Sequence, residues 1–268
     1  MREKLKHGAE SAYLFLLVLF LYAPVVVLMV YSFNASKSRG RWGGFSLKWY
    51  AELFSDSALM SALYYTLAVA VLSAVIACVI GTAAAIGIQA FKSKGVKGAI
   101  MAVTNIPVVS SELVTGVSLM ILFAAVNIPL GFPTLLLAHI TFNIPYVVLS
   151  VQPKLTQLNR DLYEAALDLG AHPFLAFRKV VFPEIMPGII NGLLLSFTLS
   201  LDDFIISFFT TGNGVSNLSI YVYSMARRGI NPKINALSTI MFGAVMLLLI
   251  LINRRSGKDK DKNILMQG

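Results

Sequence analysis

Two adjacent aspartates, Asp202 and Asp203, stand inside "SFTLSLDDFIISFF" (residues 196–209), a stretch otherwise made of apolar residues and small hydroxyls. An ionised carboxylate in hydrocarbon costs several kcal/mol, so such residues face a partner, a water-filled cavity or a transported ion. A third carboxylate, Glu112, lies in another apolar run, and no Lys or Arg falls within any of the apolar runs to neutralise the three. Three chemistries suit unneutralised acids there: contact with a cationic cargo, a proton relay, or a pair of acids acting in hydrolysis. The last is the weakest, because neighbours on a helix point about 100° apart. Asp202 and Asp203 cannot face each other as a dyad, and Glu112 would have to be the second acid.

Ser196, Ser200, Asp203 and Ser207 recur at i, i+4, i+7 and i+11. On an unbroken helix they form one polar stripe, with Asp203 on a wet cavity and Asp202 turned towards a partner subunit or a backbone donor. Aromatic faces attract ammonium groups, which adds Trp49 as a candidate, with Tyr50, Tyr221 and Tyr223 behind it; the competing reading is a membrane-interface belt or a protein contact. The pathway candidates are therefore Asp203, Asp202, Glu112, Ser200, Ser196 and Trp49. His139 and Asn143, one turn apart, offer too few ligands for a metal and read better as interhelical hydrogen-bond formers. Cys78 has no partner for a disulfide and reads as a small core residue.

The elements that hold these residues are membrane spans. Of 268 residues, 57% are hydrophobic and 13% charged, about half the charged share of a soluble domain. A span needs about 20 mostly apolar residues. Six segments qualify, near 12–33, 62–90, 99–125, 132–152, 188–210 and 235–252. The expected fold is all-α and polytopic, a single transmembrane domain over 1–268. Pro24, Pro107 and Pro145 fall within spans, where each frees backbone groups and kinks its helix. The N-terminal segment has the charge pattern of a secretory signal, but its apolar part exceeds a signal's length and no A-x-A site follows, so it reads as an uncleaved first span.

The net charge of +9 is arranged for orientation in a bilayer. Basic residues cluster beside the apolar runs, and no nucleic-acid motif accompanies them. With both termini cytoplasmic, fifteen of the 22 Lys and Arg residues lie inside, which is the favoured orientation. On straight helices, Asp202 and Asp203 would then lie about 14 residues past Gly188, roughly 21 Å in, and Glu112 about 13 residues past Ala99, roughly 20 Å in. The basic tail, about 255–268, is expected to be disordered on the inner leaflet.

The longest inner loop, about 153–187, carries a pattern that a tether would not need. Asp161 to Leu169 reads as a short helix ended by Gly170, Pro173 suits the first turn of a second helix, and Pro183 and Pro187 close the unit. Leu162, Ala165, Ala166 and Leu169 form a small apolar stripe suited to a groove on another protein.

The segment "EAALDLGAHPFLAFRKVVFPEIMP" resembles the EAA motif of ABC importer permeases. Glu164, Ala165, Ala166, Gly170 and Pro183 match, with Val180 and Phe182 where the motif has Ile and Leu. "VVVLMVYSFNAS", "GGFSLKWYAELF", "LAHITFNIPYVVLSV", "LSFTLSLDDFIISFFTTG" and "IYVYSMARRGINPKINALSTI" are together similar to the spermidine/putrescine importer permeases, the PotC-like subunits in particular. The resemblance implies a type I ABC importer permease fold with six transmembrane helices in the bacterial cytoplasmic (inner) membrane. It implies that residues 164–170 form a coupling helix docking on a cytoplasmic ATPase, and that the cargo is a polyamine, spermidine or putrescine. Its implied partners are a homologous permease, two ATPase subunits holding ATP and Mg, and a periplasmic or extracellular polyamine-binding protein.

The chain lacks a phosphate-cradling G-x-x-x-x-G-K-[ST]; "GTAAAIG" has no lysine, so ATP hydrolysis by this chain is not expected and it reads as a transporter subunit rather than an enzyme. Two other readings remain: a proton-coupled secondary carrier for a small organic cation, with the three acids as relay, and an intramembrane aspartyl protease. The carrier would leave the 153–187 loop without a use.

Overall fold

The computed structural model describes residues 2–37, 40–228, 232–243 and 246, and among them the chain is almost entirely helical. The expected tail, 255–268, and the second half of the sixth span lie outside the described residues; 235–243 is helical. Four helices among the described residues are long and apolar enough to cross a membrane, and a fifth crossing arises if one bent pair counts as a single span. The chain packs as two compact units, residues 1–59 with 222–268, and residues 60–221.

The first unit contains α1 (Arg2–Ser32) and α2 (Lys48–Phe54). Between them the chain turns back on itself around Asn34, which is 1% exposed. Its Oδ1 accepts from Gly43 N at 2.7 Å and Ser36 N at 3.1 Å, and its Nδ2 donates to Arg41 O at 3.0 Å. A single residue thus satisfies both strands of a loop too short for a sheet. Phe33 stacks on Phe45 with ring centres 5.2 Å apart. Lys233 ties back to α2 and the residue before α3, with Nζ 3.4 Å from Asp56 Oδ2 and 3.8 Å from Glu52 Oε2.

The second unit is built on three long segments: α3 (Ser57–Ala90, mostly within this unit), α6 (Phe132–Gln157) and α9 (Phe182–Asp202). Its core joins Ala77, Ala85 and Ile88 of α3, Val147, Val148, Val151 and Leu155 of α6, and Ile185 of α9. In lipid, close backbone approach replaces hydrophobic driving force, and glycines supply it here. A Cβ added at Gly188 would sit 2.8 Å from Ser150 O, and one at Gly81 would sit 2.7 Å from Val147 Cβ.

Two expected spans are broken. The segment expected to run straight over 99–125 is α4 (Lys94–Val109) followed by α5 (Glu112–Ala125), bent by 103°. Ser110 and Ser111 are extended at the break, and Ser111 Oγ accepts from Leu113 N at 3.3 Å to start the new helix. Pro107, in the last turn of α4, has no N–H with which to prolong the ladder. The segment expected over 188–210 stops at Asp202 and resumes as α10 (Ile205–Thr210). The single polar stripe and the equal depths along straight axes therefore do not hold.

The loop expected over 153–187 also differs from expectation. α7 (Arg160–Asp168) ends at Gly170, whose φ of +83° is readily adopted by glycine, and Ala171 N reaches Ala166 O at 3.1 Å. Pro173 opens the next helix, α8 (Pro173–Ala176), as the sequence indicates. Pro183 and Pro187, however, do not close a separate unit, because 173–202 is one helical segment. A π-helical turn over Phe177–Val181, in which Phe182 N donates to Phe177 O, carries the chain past Pro183. With α6 running to Gln157, the loop between long helical segments is shorter than 153–187.

Candidate functional site

The breaks after Ser111 and at Asp203 are brought together by packing. α10 lies against α5, where Gly116 admits Ile206: a Cβ there would be 3.3 Å from Ile206 Cα. Ile206 is buried with Phe123 of α5 and with Ala138 and Phe142 of α6. Glu112, the first residue of α5, consequently lies within electrostatic range of Asp202 and Asp203. The three carboxylates gather where two helices are interrupted.

They are not equivalent. Glu112 and Asp202 are exposed, and neither forms an ion pair among the described residues. Asp203 is 7% exposed, and its side chain is used internally. Its Oδ1 accepts from Ile206 N at 3.2 Å, and its Oδ2 accepts from Ser207 N at 2.8 Å and Ser207 Oγ at 2.7 Å. The carboxylate thus satisfies the first free N–H groups of α10, as Asp does at helix starts. His139 Nε2 lies 3.0 Å from Ser207 Oγ and 3.5 Å from Asp203 Oδ2. The Asp203 carbonyl accepts from Asn217 Nδ2 at 3.1 Å, linking the break to the segment before α11 (Leu218–Arg227). The expectation that Asp203 faces a wet cavity does not match this burial.

Ser200 and Ser196 are buried too. Asn143 Nδ2 donates to Ser200 Oγ at 2.7 Å and to Ser73 Oγ at 3.3 Å, and the two serine hydroxyls are 3.0 Å apart. This cluster joins α3, α6 and α9, and Thr134 Oγ1 adds a bond from α6 to Thr210 O at 2.8 Å. His139 and Asn143 are thus interhelical hydrogen-bond formers, as their spacing indicates. Ser196 Oγ has no hydrogen-bond partner among the described residues.

Trp49, in the other unit, is 2% exposed. Its Nε1 donates to Asn34 O at 2.7 Å, and Lys48 Nζ lies 5.2 Å from its ring centre, so the indole is engaged in packing the loop between α1 and α2. Tyr50 Oη is 2.7 Å from Ser32 Oγ, and Arg227 lies over the Tyr223 ring at 5.8 Å.

At the opposite end of the second unit, Glu164 and Ala165 of α7 are exposed, as are Gly170 and Pro183. Leu169 is 89% exposed, and Leu162 and Phe174 also project outward. A short helix held between α6 and α9 and presenting apolar side chains outward suits a protein groove. A cleft of about 320 Å³ lined by Lys154, Asn159, Leu162, Pro183 and Glu184 lies at its base.

Asn217 and Ser73 carry no sequence signal that marks them as part of the site. Spacing marks Ser207 only as part of a stripe. Asp203 followed by Ile206 and Ser207 does carry a helix-start signal, but the apolar run around it resembles a continuous span.

The chain is similar to known proteins in sequence and in fold. Residues 77–256 match the family described as "Binding-protein-dependent transport system inner membrane component". The putrescine transport system permease protein PotI of Escherichia coli (strain K12) is 44% identical over 233 residues, 84% of this chain and 83% of that protein. The spermidine/putrescine transport system permease protein PotC of the same strain is 37% identical over 243 residues, 91% of each chain. A chain of a bacterial ABC transporter that imports the acidic polysaccharide alginate superposes with a TM-score of 0.71 at 17% identity, covering 95% of both chains. The chain therefore belongs to the binding-protein-dependent transport system inner membrane component family, the multi-pass permease subunits of bacterial ABC importers.

Proposed function

We propose that this permease carries polyamines, putrescine or spermidine, into the cytoplasm. The observation that carries the reading is the 44% identity, over 84% of the chain, to a putrescine permease. The site supports it chemically: Asp202 and Glu112 are exposed carboxylates with no ion pair among the described residues, each at a helix break. A polyamine stripped of water needs such acceptors for its ammonium groups. Cargo contact is assigned to this exposed pair, because Asp203, Ser196, Ser200 and Trp49 are buried in packing.

In this reading a homologous permease supplies the other half of the pathway, and both termini are cytoplasmic. Two ATPase subunits, holding ATP and Mg, dock on the helix bearing Glu164, Ala165 and Ala166, with Gly170 terminating it and Pro183 at its base. A polyamine-binding protein delivers cargo from outside.

The test is uptake of labelled putrescine and spermidine by proteoliposomes holding the whole complex with its binding protein. ATP-dependent uptake that Asp202→Asn or Glu112→Gln abolishes, with ATPase activity and assembly retained, supports the assignment. Uptake driven by a proton gradient without ATP would instead favour a secondary carrier, and absence of polyamine uptake by the wild-type complex would refute the cargo.

A further inference from the structure

We infer that Asp203 is a positioning residue. It pins the α9–α10 break from inside and thereby sets where the exposed Asp202 carboxylate stands, without itself touching cargo.

Two carboxylates adjacent in sequence have opposite surroundings. Asp202 closes α9 with its side chain exposed, while Asp203 turns inward to three donors, Ile206 N, Ser207 N and Ser207 Oγ, all within 3.2 Å. A carboxylate offers two oxygens with about four lone-pair sites, and most of that capacity is already committed. An ammonium ion would have to break these bonds to reach it, leaving the N–H groups of α10 unsatisfied in a buried place.

The pin also has supports on every side. His139 of α6 approaches Ser207 at 3.0 Å, Asn217 holds the Asp203 carbonyl at 3.1 Å, and Ile220 N donates to Asn217 Oδ1 at 2.9 Å. Ser219 Oγ meets the Asp202 carbonyl at 3.4 Å. Residues 202 and 203 are therefore gripped through their backbones by the segment 217–220 and through one side chain by α10. The Asp202 carboxylate is left pointing outward. Loosening the pin lets that carboxylate drift from its place at the end of α9, and a displacement of about an ångström is enough to impair a preorganised site.

The inference rests on the import reading for the role of Asp202, and its test is chosen to fail separately. In a Cys78→Ala background, Asp202→Cys and Asp203→Cys variants of the assembled complex are treated with a charged, membrane-impermeant thiol reagent, with and without polyamine and with ATP turnover. The Asp202→Cys variant is expected to label, with polyamine slowing the reaction, and the Asp203→Cys variant to remain unlabelled.

Ser207→Ala removes one support of Asp203 at a residue that is 0% exposed. It is expected to lower polyamine moved per ATP hydrolysed roughly fivefold, with ATPase activity and assembly retained. The double variant Asp203→Asn with Ser207→Ala should be no worse than the poorer single variant, as for residues acting through one contact. Labelling of the Asp203→Cys variant that polyamine prevents, or a Ser207→Ala variant with wild-type transport per ATP, overturns the inference. If the wild-type complex moves no polyamine, the import reading fails, while the contrast in labelling between positions 202 and 203 still decides whether Asp203 faces the pathway.

Discussion

Asp203 Oδ2 receives both donors of Ser207, the backbone N–H at 2.8 Å and the hydroxyl at 2.7 Å. One residue four positions along the chain thus occupies the oxygen that a transported cation would otherwise use. Burial of this pair against His139 separates the internal carboxylate from the two that remain open, Asp202 and Glu112.

Asp202→Asn and Glu112→Gln are each expected to lower polyamine uptake efficiency about tenfold or more, as for loss of a charge-assisted hydrogen bond. Uptake kinetics at fixed ATP would show the loss. Equal transport by both variants and the wild type would remove the exposed pair from the pathway.

Trp49→Phe keeps an aromatic ring, smaller than the indole, and deletes the N–H donated to Asn34 O. The expected cost is about 1–3 kcal/mol from the unsatisfied carbonyl and the lost packing volume, read as a lower Tm of the purified complex. The polyamine KM should not move, since Trp49 is buried. A raised KM with unchanged Tm would restore Trp49 to the cargo path.

Helix contact through glycine gives a paired comparison. Gly188→Ala places a Cβ 2.8 Å from Ser150 O, whereas Gly87→Ala meets nothing within 4 Å. The first should destabilise by about 1–3 kcal/mol, and the second should be neutral or stabilising by up to about 1 kcal/mol. Thermal unfolding of both variants in the same detergent makes the comparison.

Gly170→Ala leaves ample space but imposes a side chain at φ +83°, a strain of about 1–2 kcal/mol. The end of α7 should shift, and ATPase activity stimulated by the cargo-loaded binding protein should fall while permease assembly persists. Unchanged stimulation would show that the turn after α7 tolerates rearrangement without loss of coupling.

Asn143→Leu removes the bonds to Ser73 and Ser200 that join three helices. Interhelical polar contacts in membranes contribute about 0.6–2 kcal/mol, so the Tm should drop modestly. Ser200→Ala should be substantially non-additive with it, because both act in one cluster.

Membrane class and the existence of most long helices were legible from composition and apolar length alone, because the bilayer demands about 20 apolar residues wherever a helix crosses it. The end of α7 was legible as well: glycine at 170 and proline at 173 act on the backbone locally, through φ and a missing N–H, whatever surrounds them. The EAA spacing likewise identified the family from residues close in sequence.

What only the tertiary structure decided is which acid faces where. An apolar run around Asp203 is compatible with a straight helix or a broken one, because both bury the same side chains. The choice depends on whether an acceptor for the freed N–H groups of α10 exists at the break, and whether α5 and α6 close around it. Gly116 opens the gap that α10 fills, and His139 supports Ser207 from 68 positions away in sequence. Charge and spacing marked Asp202, Asp203 and Glu112 as a group, but the break before α10, closed over by α5 and α6, turned one inward onto Ile206 and Ser207 and left two exposed.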